Sequence, residues 1–395
     1  MSQEVFSPAD EIEAGALVAG ARGHKRTLDI VGGATRTGFG RPRAGWATLS
    51  TAKISGIIFH EPSEMTIRAK GGTPLKDVVA ALDAQGQMLP FEPGDPRVMW
   101  GIRGEPTVGG LVAVNASGPR RISAGAARDS LIGVRFVNGA GEAISSGGRV
   151  TKNVTGLDLV KLTAGAHGTL GLVTEATFKV LPKPEAEATV VIRRLDDSRA
   201  VAAMAQALGS PFGVSGAATL GPGMGREWPR AFMRVEGFAD QVKVRTEKLI
   251  ASLADFGASH ALEGENSAKL WRAVRDVSYL AEPRGRAIWR VSLAPSNGPA
   301  FVARLGAKPG DYHFDWGGGL VWLASEASRE TCVAVRAALA PLGGHATLMR
   351  APDALRGEVN VFQPLGAVER RLTLGVKTAC DPERVINRGR MFGDV

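Results

Sequence analysis

Apolar and polar positions in the first 90 residues change between helix-like and strand-like spacing. Residues 9–21 open with acidic residues and continue with small apolar ones, which predicts a short helix with an acidic first turn. A second helix is predicted from Thr73-Pro74 to Gln85, because Thr can cap a helix and Pro fits its first position. Short apolar runs predict strands at 28–31, 56–60 and 65–70.

The pattern is lost between Pro93 and Ser130, where glycine and other small residues replace apolar periodicity. We expect a functional loop there, since long segments without regular structure are uncommon in compact proteins. Strands resume at 131–137 and 143–145, and residues 170–181 form a long β-rich run. Pro182 and Pro184 end this run, and the polar stretch after them indicates a domain boundary.

Beyond the boundary, strand-like and helix-like segments alternate, which predicts an α+β or α/β layer with a sheet covered on one face. The predicted helices are 198–208, 240–254 and 328–339, and the predicted strands are 190–195, 231–235, 287–293, 319–324 and 346–350. Residues 381–395 form a separate polar tail.

Composition narrows the function classes. The net charge is +9, but the basic residues are scattered and aromatic residues make up only 6%, which argues against nucleic-acid binding. Electrostatic docking to an acidic subunit or to an anionic membrane surface stays open. The two cysteines, Cys332 and Cys380, cannot hold an iron–sulfur cluster, which needs about four thiolates. We also expect no signal peptide and no membrane span.

Glycine is abundant, with 51 residues, and three small-residue segments are candidates for ligand contact. Residues 31–38 follow a strand, and their backbone N–H groups can converge on a pyrophosphate. Residues 106–118 let a flat ligand or another backbone come close. Residues 165–175 can offer backbone groups to a heterocycle. Each segment alone is equally compatible with a turn or with close helix packing.

Together and in this order, the three segments resemble the FAD-binding domain of the vanillyl-alcohol-oxidase (PCMH-type) superfamily of flavoproteins. More narrowly, the chain resembles the FAD-binding subunits of bacterial glycolate oxidase (glycolate dehydrogenase), including residues 147–159, 315–318 and 381–391. The resemblance implies an α+β fold: a two-subdomain FAD domain over 1–184, an α/β cap with an antiparallel sheet over 185–380, and a tail over 381–395 that returns to the FAD domain.

The resemblance also implies roles for individual residues. The pyrophosphate would be held by Gly32, Gly33, Ala34, Thr35, Arg36 and Thr37. The cofactor would also be lined by Thr107, Gly109, Gly110, Ala113, Ser117 and Gly118, by the backbone of Gly171 and Val173, and by Asn387 and Arg390 of the tail. Leu157 stands where the resemblance leads us to expect an aromatic residue.

We expect the FAD to be non-covalent. Many members of this superfamily attach flavin through His or Cys, and the phosphate loop contains neither. Both cysteines lie outside the flavin segments, where small buried thiols usually act as hydrophobes.

Related 2-hydroxy-acid dehydrogenases carry a motif rich in glycine and histidine in the cap domain. Here the comparable segment, residues 313–322, retains His313 and Asp315, while Trp or Val replaces the distal histidine. One histidine and one aspartate do not make a metal site. His345 is a further candidate ligand. For His167 we favour a structural role over a contact with flavin. We therefore predict no metal and name no catalytic residue.

Three hypotheses follow. The first is an FAD subunit of a glycolate (2-hydroxy acid) dehydrogenase complex, either acting on CH–OH donors or relaying electrons, with a homologous FAD subunit and an iron–sulfur subunit as partners. The second is a self-sufficient FAD-dependent 2-hydroxy acid oxidoreductase, and the third is a non-catalytic scaffold with a vestigial FAD site. The expected location is cytoplasmic, with peripheral docking on the inner face of the membrane as an option.

Overall fold

The computed structural model describes residues 4–42, 46–148, 157–221, 230–306 and 310–394. Residues 149–156 of the resembling segment 147–159 therefore lie outside the described residues. In chain order the described strands are β1 Glu4–Phe6, β2 Leu28–Val31, β3 Ala47–Ser50, β4 Ile57–Glu61, β5 Thr66–Lys70, β6 Gln87–Met88, β7 Leu131–Val137, β8 Ala143–Gly147, β9 Leu172–Lys179, β10 Leu181–Pro182, β11 Ala186–Arg193, β12 Val214–Leu220, β13 Arg230–Gly237, β14 Ser259–Glu263, β15 Ala287–Ser292, β16 Asp311–Asp315, β17 Leu320–Ser325 and β18 His345–Arg350.

Most described α-helices of the first half of the chain are shorter than those of the second half. They are α1 Glu11–Gly23, α2 Leu75–Asp83, α3 Pro96–Trp100, α4 Val108–Ala113, α5 Arg121–Ala124, α6 Ala127–Ser130, α7 Leu159–Thr163, α8 Asp197–Leu208, α9 Ala239–Ser252, α10 Gly264–Arg275, α11 Gly298–Arg304, α12 Arg329–Leu339, α13 Asp353–Glu358 and α14 Ala367–Cys380. Among the described residues, no helix is long and apolar enough to cross a bilayer.

The first 182 residues build two main sheets. A parallel sheet has the order β1-β3-β2, and an antiparallel sheet has the order β4-β5-β9-β7-β8. Helix α4 lies against β9 and β5, and its residues Val108, Leu111 and Val112 join the core of the five-stranded sheet. The small residues around α4 therefore come close to both sheets, which is where a ligand between the sheets would lie.

Residues 186–350 form two antiparallel four-stranded sheets with the orders β12-β13-β11-β14 and β16-β17-β15-β18. The sheets meet where the Phe314 N–H donates to Thr219 Oγ1 at 3.1 Å. One face of both sheets packs on helices such as α8, α9 and α12. The opposite face carries Trp322 and Ile288 and packs against Met99 of the first half. This face covers the small-residue segments.

Two local predictions were wrong. Residues 93–130 are not one loop but contain α3 to α6, each of six residues or fewer, and helices under two turns show no apolar periodicity. Thr73 does not cap α2: its hydroxyl exchanges hydrogen bonds with the Gly56 backbone, and Pro74 holds the cap position.

Candidate functional site

The loop that leaves β2 is held against the segment before α4. A Cβ on Gly33 would lie 1.7 Å from the Glu105 carbonyl oxygen, and one on Gly32 would lie 2.3 Å from Thr107 Oγ1. A side chain on Gly33 would require a backbone shift, and one on Gly32 would require the Thr107 side chain to move. Ala34 continues the loop at a positive φ of 56°. The loop is therefore shaped by close packing on the segment before α4, and its residues line the adjacent cavity.

Arg36 in this loop is a half-buried cation, and Asp95 is the carboxylate that acts on its charge. Its Nη1 is buried and has no hydrogen-bond partner. Burial lowers the pKa of Arg36 to about 10, although Asp95 partly opposes the shift. A guanidinium that has lost water without gaining a partner is costly, so this position favours an anionic ligand.

The second segment supplies the start of α4. Thr107 caps the helix, since its Oγ1 accepts a hydrogen bond from the Gly110 N–H at 3.3 Å. The Gly109 N–H is already committed to the Gly71 carbonyl at 2.7 Å. A Cβ on Gly109 would approach the same oxygen at 3.0 Å, so glycine here allows the helix to pack on the β5–α2 turn.

The third segment forms a turn at residues 165–171. Gly168 has a φ of 69°, and a Cβ on Gly171 would lie 2.5 Å from the Phe136 ring. His167 donates its backbone N–H to the Ala113 carbonyl at 2.7 Å, which ties the turn to α4. Burial, with smaller contributions from Arg390 and Arg36, lowers the pKa of His167 to about 3. The imidazole is therefore neutral at pH 7.

The tail closes the site from the other side. Asn387 accepts a hydrogen bond from the Ile30 N–H at 2.8 Å and donates its amide to the His167 carbonyl at 2.9 Å. Arg390 donates to the carbonyl oxygens of Arg36 and Thr37, at 3.0 and 3.1 Å. Two side chains of the tail thus fix the first and third segments relative to each other.

A buried ion pair anchors this tail. The Lys377 ammonium is fully buried and donates to Asp381 Oδ2 at 2.7 Å, to the Thr169 carbonyl at 2.7 Å and to the Ile386 carbonyl at 2.9 Å. Asp381 also accepts the N–H groups of Val385 and Ile386. Ile386 pairs in parallel with Leu28, so the tail extends the first sheet beside β2.

All three segments and the tail line one cavity of about 110 Å³. It brings together fourteen of the sixteen residues predicted for the cofactor, namely Gly32, Gly33, Ala34, Thr35, Arg36, Thr37, Thr107, Gly109, Gly110, Ala113, Gly171, Val173, Asn387 and Arg390. Sequence reasoning missed Phe39 and Thr51, which also line it, and it did not single out Gly168 within the predicted segment 165–175. His167, interpreted as structural, lines it as well.

Ser117 and Gly118 do not line this cavity. Ser117 lines a second, adjoining cavity. Gly118 lines neither, because its N–H donates to the Phe91 carbonyl and its carbonyl accepts from Trp316 Nε1. Its small size is required by packing, since a Cβ would lie 2.2 Å from the Glu92 carbonyl oxygen.

The second cavity, of about 330 Å³, lies between the small-residue segments and the side chains that β15, β17 and β18 turn towards the first half of the molecule. It shares Arg36, Phe39, Val114 and His167 with the first cavity. An elongated ligand with an anionic centre and a flat end could therefore extend from one cavity into the other.

His313 and Asp315 lie apart from both cavities. Burial lowers the pKa of His313 to about 3, and neither ring nitrogen has a hydrogen-bond partner. Strands β17 and β15 lie between β16, which carries His313, and β18, which carries His345, so these two strands are about three strand spacings, or ~14 Å, apart. In the described part of the chain no group of three or more His, Cys, Asp or Glu side chains could hold a metal.

Residues 2–147 match a family model described as an FAD binding domain. Glycolate oxidase subunit GlcE of Escherichia coli K12 is 34% identical over 372 residues, which cover 94% of each chain. The chain belongs to this family of FAD-binding oxidoreductases.

Members of the wider family match over shorter lengths. Glycolate oxidase subunit GlcD of Bacillus subtilis is 32% identical over 150 residues, which cover 38% of this chain and 30% of that protein. Among solved structures, p-cresol methylhydroxylase with substrate bound aligns with a TM-score of 0.73 at 15% identity, covering 99% of this chain and 88% of the other. The fold is therefore of the PCMH type, as predicted.

The residues present fit FAD. The orphaned cation of Arg36 matches a diphosphate, and the crowded backbone at Gly33 matches a loop that admits a ligand but no side chain. The two adjoining cavities offer a narrow part and a wider part for the two ends of such a cofactor. When bound, FAD would supply the acceptor for a hydride or for electrons.

Proposed function

We propose that this chain is an FAD-bearing subunit of a multi-subunit dehydrogenase complex that oxidises glycolate or a related 2-hydroxy acid, and that its flavin relays electrons within that complex. One observation carries the relay: a complete cofactor cradle stands beside a cap whose remaining motif histidine, His313, is buried away from both cavities. The full-length similarity to a glycolate oxidase subunit supports the subunit role.

The complex requires an exit for electrons. The proposed partners are a homologous FAD subunit, which the similarity to a GlcD protein supports, and an iron–sulfur subunit, since two cysteines cannot ligate a cluster here. The net charge of +9 supports docking of the cytoplasmic chain on an acidic subunit or on the inner face of the membrane.

The proposal includes non-covalent FAD, bound between a cofactor domain of residues 1–184 and a cap of residues 185–380. Neither Cys332 nor Cys380 lines the cavities, and the loop of residues 31–38 contains no histidine or cysteine, while the two histidines that line the cavities are His167 and His345. Acid precipitation should leave all flavin in the supernatant, and a yellow pellet would contradict this part.

The decisive experiment mixes the purified, FAD-loaded chain with glycolate under anaerobic conditions, alone and after reconstitution with its partner subunits. The relay predicts that the flavin absorbance of the chain alone persists, and that it bleaches once the partners are added. Rapid bleaching of the isolated chain would reject the relay.

Rapid bleaching would instead support a second candidate, self-sufficient oxidation of a 2-hydroxy acid by this chain. The observation that favours it is the second cavity, which adjoins the cofactor cavity and carries two arginines without carboxylate partners among the described residues, Arg121 and Arg290. The cavity is large enough for a flat ring and a small acid beside it.

A further inference from the structure

The second cavity is built at the seam of the two halves of the molecule. Arg121 reaches it from α5, and Arg290 reaches it from β15 of the cap sheet. Trp322, Arg290 and Thr347 are register partners across β17, β15 and β18, so their side chains share the face that looks into the cavity. A ligand held by both arginines would therefore bridge the two halves.

The carboxylates that line this cavity are already paired. Asp95 accepts hydrogen bonds from Arg97 Nη2 at 2.8 Å and Nε at 3.1 Å. Asp276 accepts from Arg275 Nε at 2.8 Å and Nη2 at 2.9 Å. The negative charge on the cavity wall is thus paired locally, and three lining guanidiniums remain, those of Arg36, Arg121 and Arg290, of which Arg36 also lines the first cavity.

Arg121 and Arg290 have no comparable partner within the described ranges. The only side-chain hydrogen bond of Arg121 is a 3.3 Å contact with Ser117 Oγ, and none is found for Arg290. Both stack on Trp316, with guanidinium carbons 4.8 and 5.0 Å from the ring centroid. Burial, reinforced by Arg121, lowers the pKa of Arg290 to about 10.

Carboxylates outside the cavity only partly offset this positive charge: burial lowers the pKa of Arg121, and Asp129 partly opposes that shift while Arg128 adds to it. Asp315 attracts Arg290 only weakly, because burial raises the pKa of Asp315 to about 7. His345 lines the same cavity, and burial with the nearby Arg290 and Arg121 lowers its pKa, so it is neutral at pH 7. The local charge is therefore positive, and two desolvated cations repel each other unless an anion lies between them.

The shape of the cavity selects the class of anion. Its walls also carry the apolar side chains of Trp322, Met349 and Phe362, and part of its volume would hold the flat end of the cofactor. The remaining space suits a small ligand with one charged end. The planar fork of arginine matches the two oxygens of a carboxylate.

We propose that the second cavity binds a small aliphatic carboxylate anion, with Arg121 and Arg290 as its counter-charges. The inference deepens the proposed function and rests on it for the identity of the acid, since a 2-hydroxy acid is such a carboxylate. It does not depend on which subunit removes the hydride, because a substrate or a 2-oxo acid product would bind the same pair.

Isothermal titration calorimetry on the full-length purified chain tests this proposal. Glycolate, D-lactate and oxalate are the probes, glycolamide is the uncharged analogue, and inorganic phosphate is the tetrahedral anion. We expect the acids to bind and glycolamide and phosphate to bind at least tenfold more weakly. Equal binding of glycolate and glycolamide would overturn the proposal, as would tighter binding of phosphate or no binding of any acid.

Variants assign the binding to the two arginines. Arg121→Met and Arg290→Met should each weaken acid binding by about 10- to 100-fold, the effect of a lost charged hydrogen bond. Arg272→Met removes an exposed arginine of α10 that lines neither cavity and should bind like wild type. Unchanged acid binding in both cavity variants, with melting temperatures near wild type, would overturn the assignment.

The two proposals fail in different ways. Calorimetry reads acid binding whether or not flavin is present, and the FAD content is measured separately from the visible absorbance. A chain that binds acid but no FAD would contradict the proposed function alone. A chain that retains FAD and binds no acid would contradict this inference alone.

Discussion

The guanidinium of Arg36 has lost water without gaining a hydrogen bond at Nη1. A bound anion would offset the free energy lost when this guanidinium was desolvated. Arg36 should therefore increase the affinity for an anionic ligand without stabilising the ligand-free fold. We therefore expect Arg36→Met to raise the dissociation constant for FAD by about 10- to 100-fold. Flavin fluorescence titration of the apoprotein measures the change.

The control for this variant is Arg272→Met, whose exposed side chain pairs only with Glu265 at the surface. The apoprotein of Arg36→Met should melt at or above the wild-type temperature. An unchanged FAD affinity would show that Arg36 does not contact the cofactor.

The burial of His313 predicts how the stability of the folded protein changes at acidic pH. Burial lowers its pKa from 6.5 to about 3 in the folded protein. Between these values the unfolded chain binds a proton that the folded chain does not, so stability is lost as the pH falls from 6.5 towards 3. We expect His313→Leu to reduce this loss, as measured by urea unfolding from pH 7 to pH 4.

The same variant separates a structural role from a chemical one. His313 lines neither cavity, so His313→Leu should keep the FAD affinity and the acid affinity of wild type. A parallel pH dependence of the two proteins would contradict the buried, neutral imidazole.

At the scale of elements, α14 is unusual because Lys377 is its buried residue while most of the helix is exposed. Lys377→Met leaves the Asp381 carboxylate buried without its cation, which costs about 3–5 kcal/mol. We expect a lower melting temperature and faster release of FAD, because the tail that carries Asn387 and Arg390 loses its anchor. Stopped-flow dilution with a flavin trap measures the release rate.

An exposed lysine provides the comparison for this variant. Lys179→Met, at the end of β9, should change neither the melting temperature nor the release rate. If Lys377→Met lowered stability but left flavin release unchanged, the tail would have no role in retaining the cofactor.

The elements also show where sequence reasoning succeeds. Strands with continuous apolar runs, such as β7, lie where their pattern predicts them, and the three glycine segments converge as the resemblance implies. The features that the sequence did not predict depend on contacts between distant parts of the chain. The pairing of Ile386 with Leu28 and the burial of His313 depend on residues distant in sequence, and no local pattern records them. Gly118 illustrates the converse, since a glycine required by packing looks like one required by a ligand.

At the scale of the whole molecule, a charged network fixes the cap on the first half. Arg234 of β13 donates to both carboxylate oxygens of Glu92, at 2.9 and 2.8 Å, and Arg120 donates to Glu236 of β13 at 2.7 Å. Burial alone would raise the pKa of Glu236, but Arg234 and Arg120 outweigh it and lower this pKa to about 2. The network therefore joins β13 to residues 92 and 120 of the first half.

Replacing Glu236 by Gln should show how much this network stabilises the folded protein. Because the folded pKa lies below the ordinary 4.5, the stabilisation by the carboxylate is present above pH 4.5 and is lost as the pH falls towards 2. Glu236→Gln should cost about 3–5 kcal/mol at pH 7, and the difference from wild type should shrink below pH 4.5. Urea unfolding across this range measures both effects.

A surface ion pair provides the matched comparison. Glu265→Gln breaks an exposed pair with Arg272 and should cost about 0–1 kcal/mol at every pH. A cost for Glu236→Gln no larger than that of Glu265→Gln would show that the seam does not depend on this network.

The pairing of Ile386 beside β2 has a consequence for biosynthesis. The phosphate loop is among the first 40 residues to leave the ribosome, yet the side chains that fix it, Asn387 and Arg390, are made some 350 residues later. The cradle therefore stays incomplete through almost the whole of translation. Under the proposed role of this loop, flavin capture follows synthesis of the tail, and we expect a nascent chain stalled before residue 386 to emerge colourless whatever the supply of FAD.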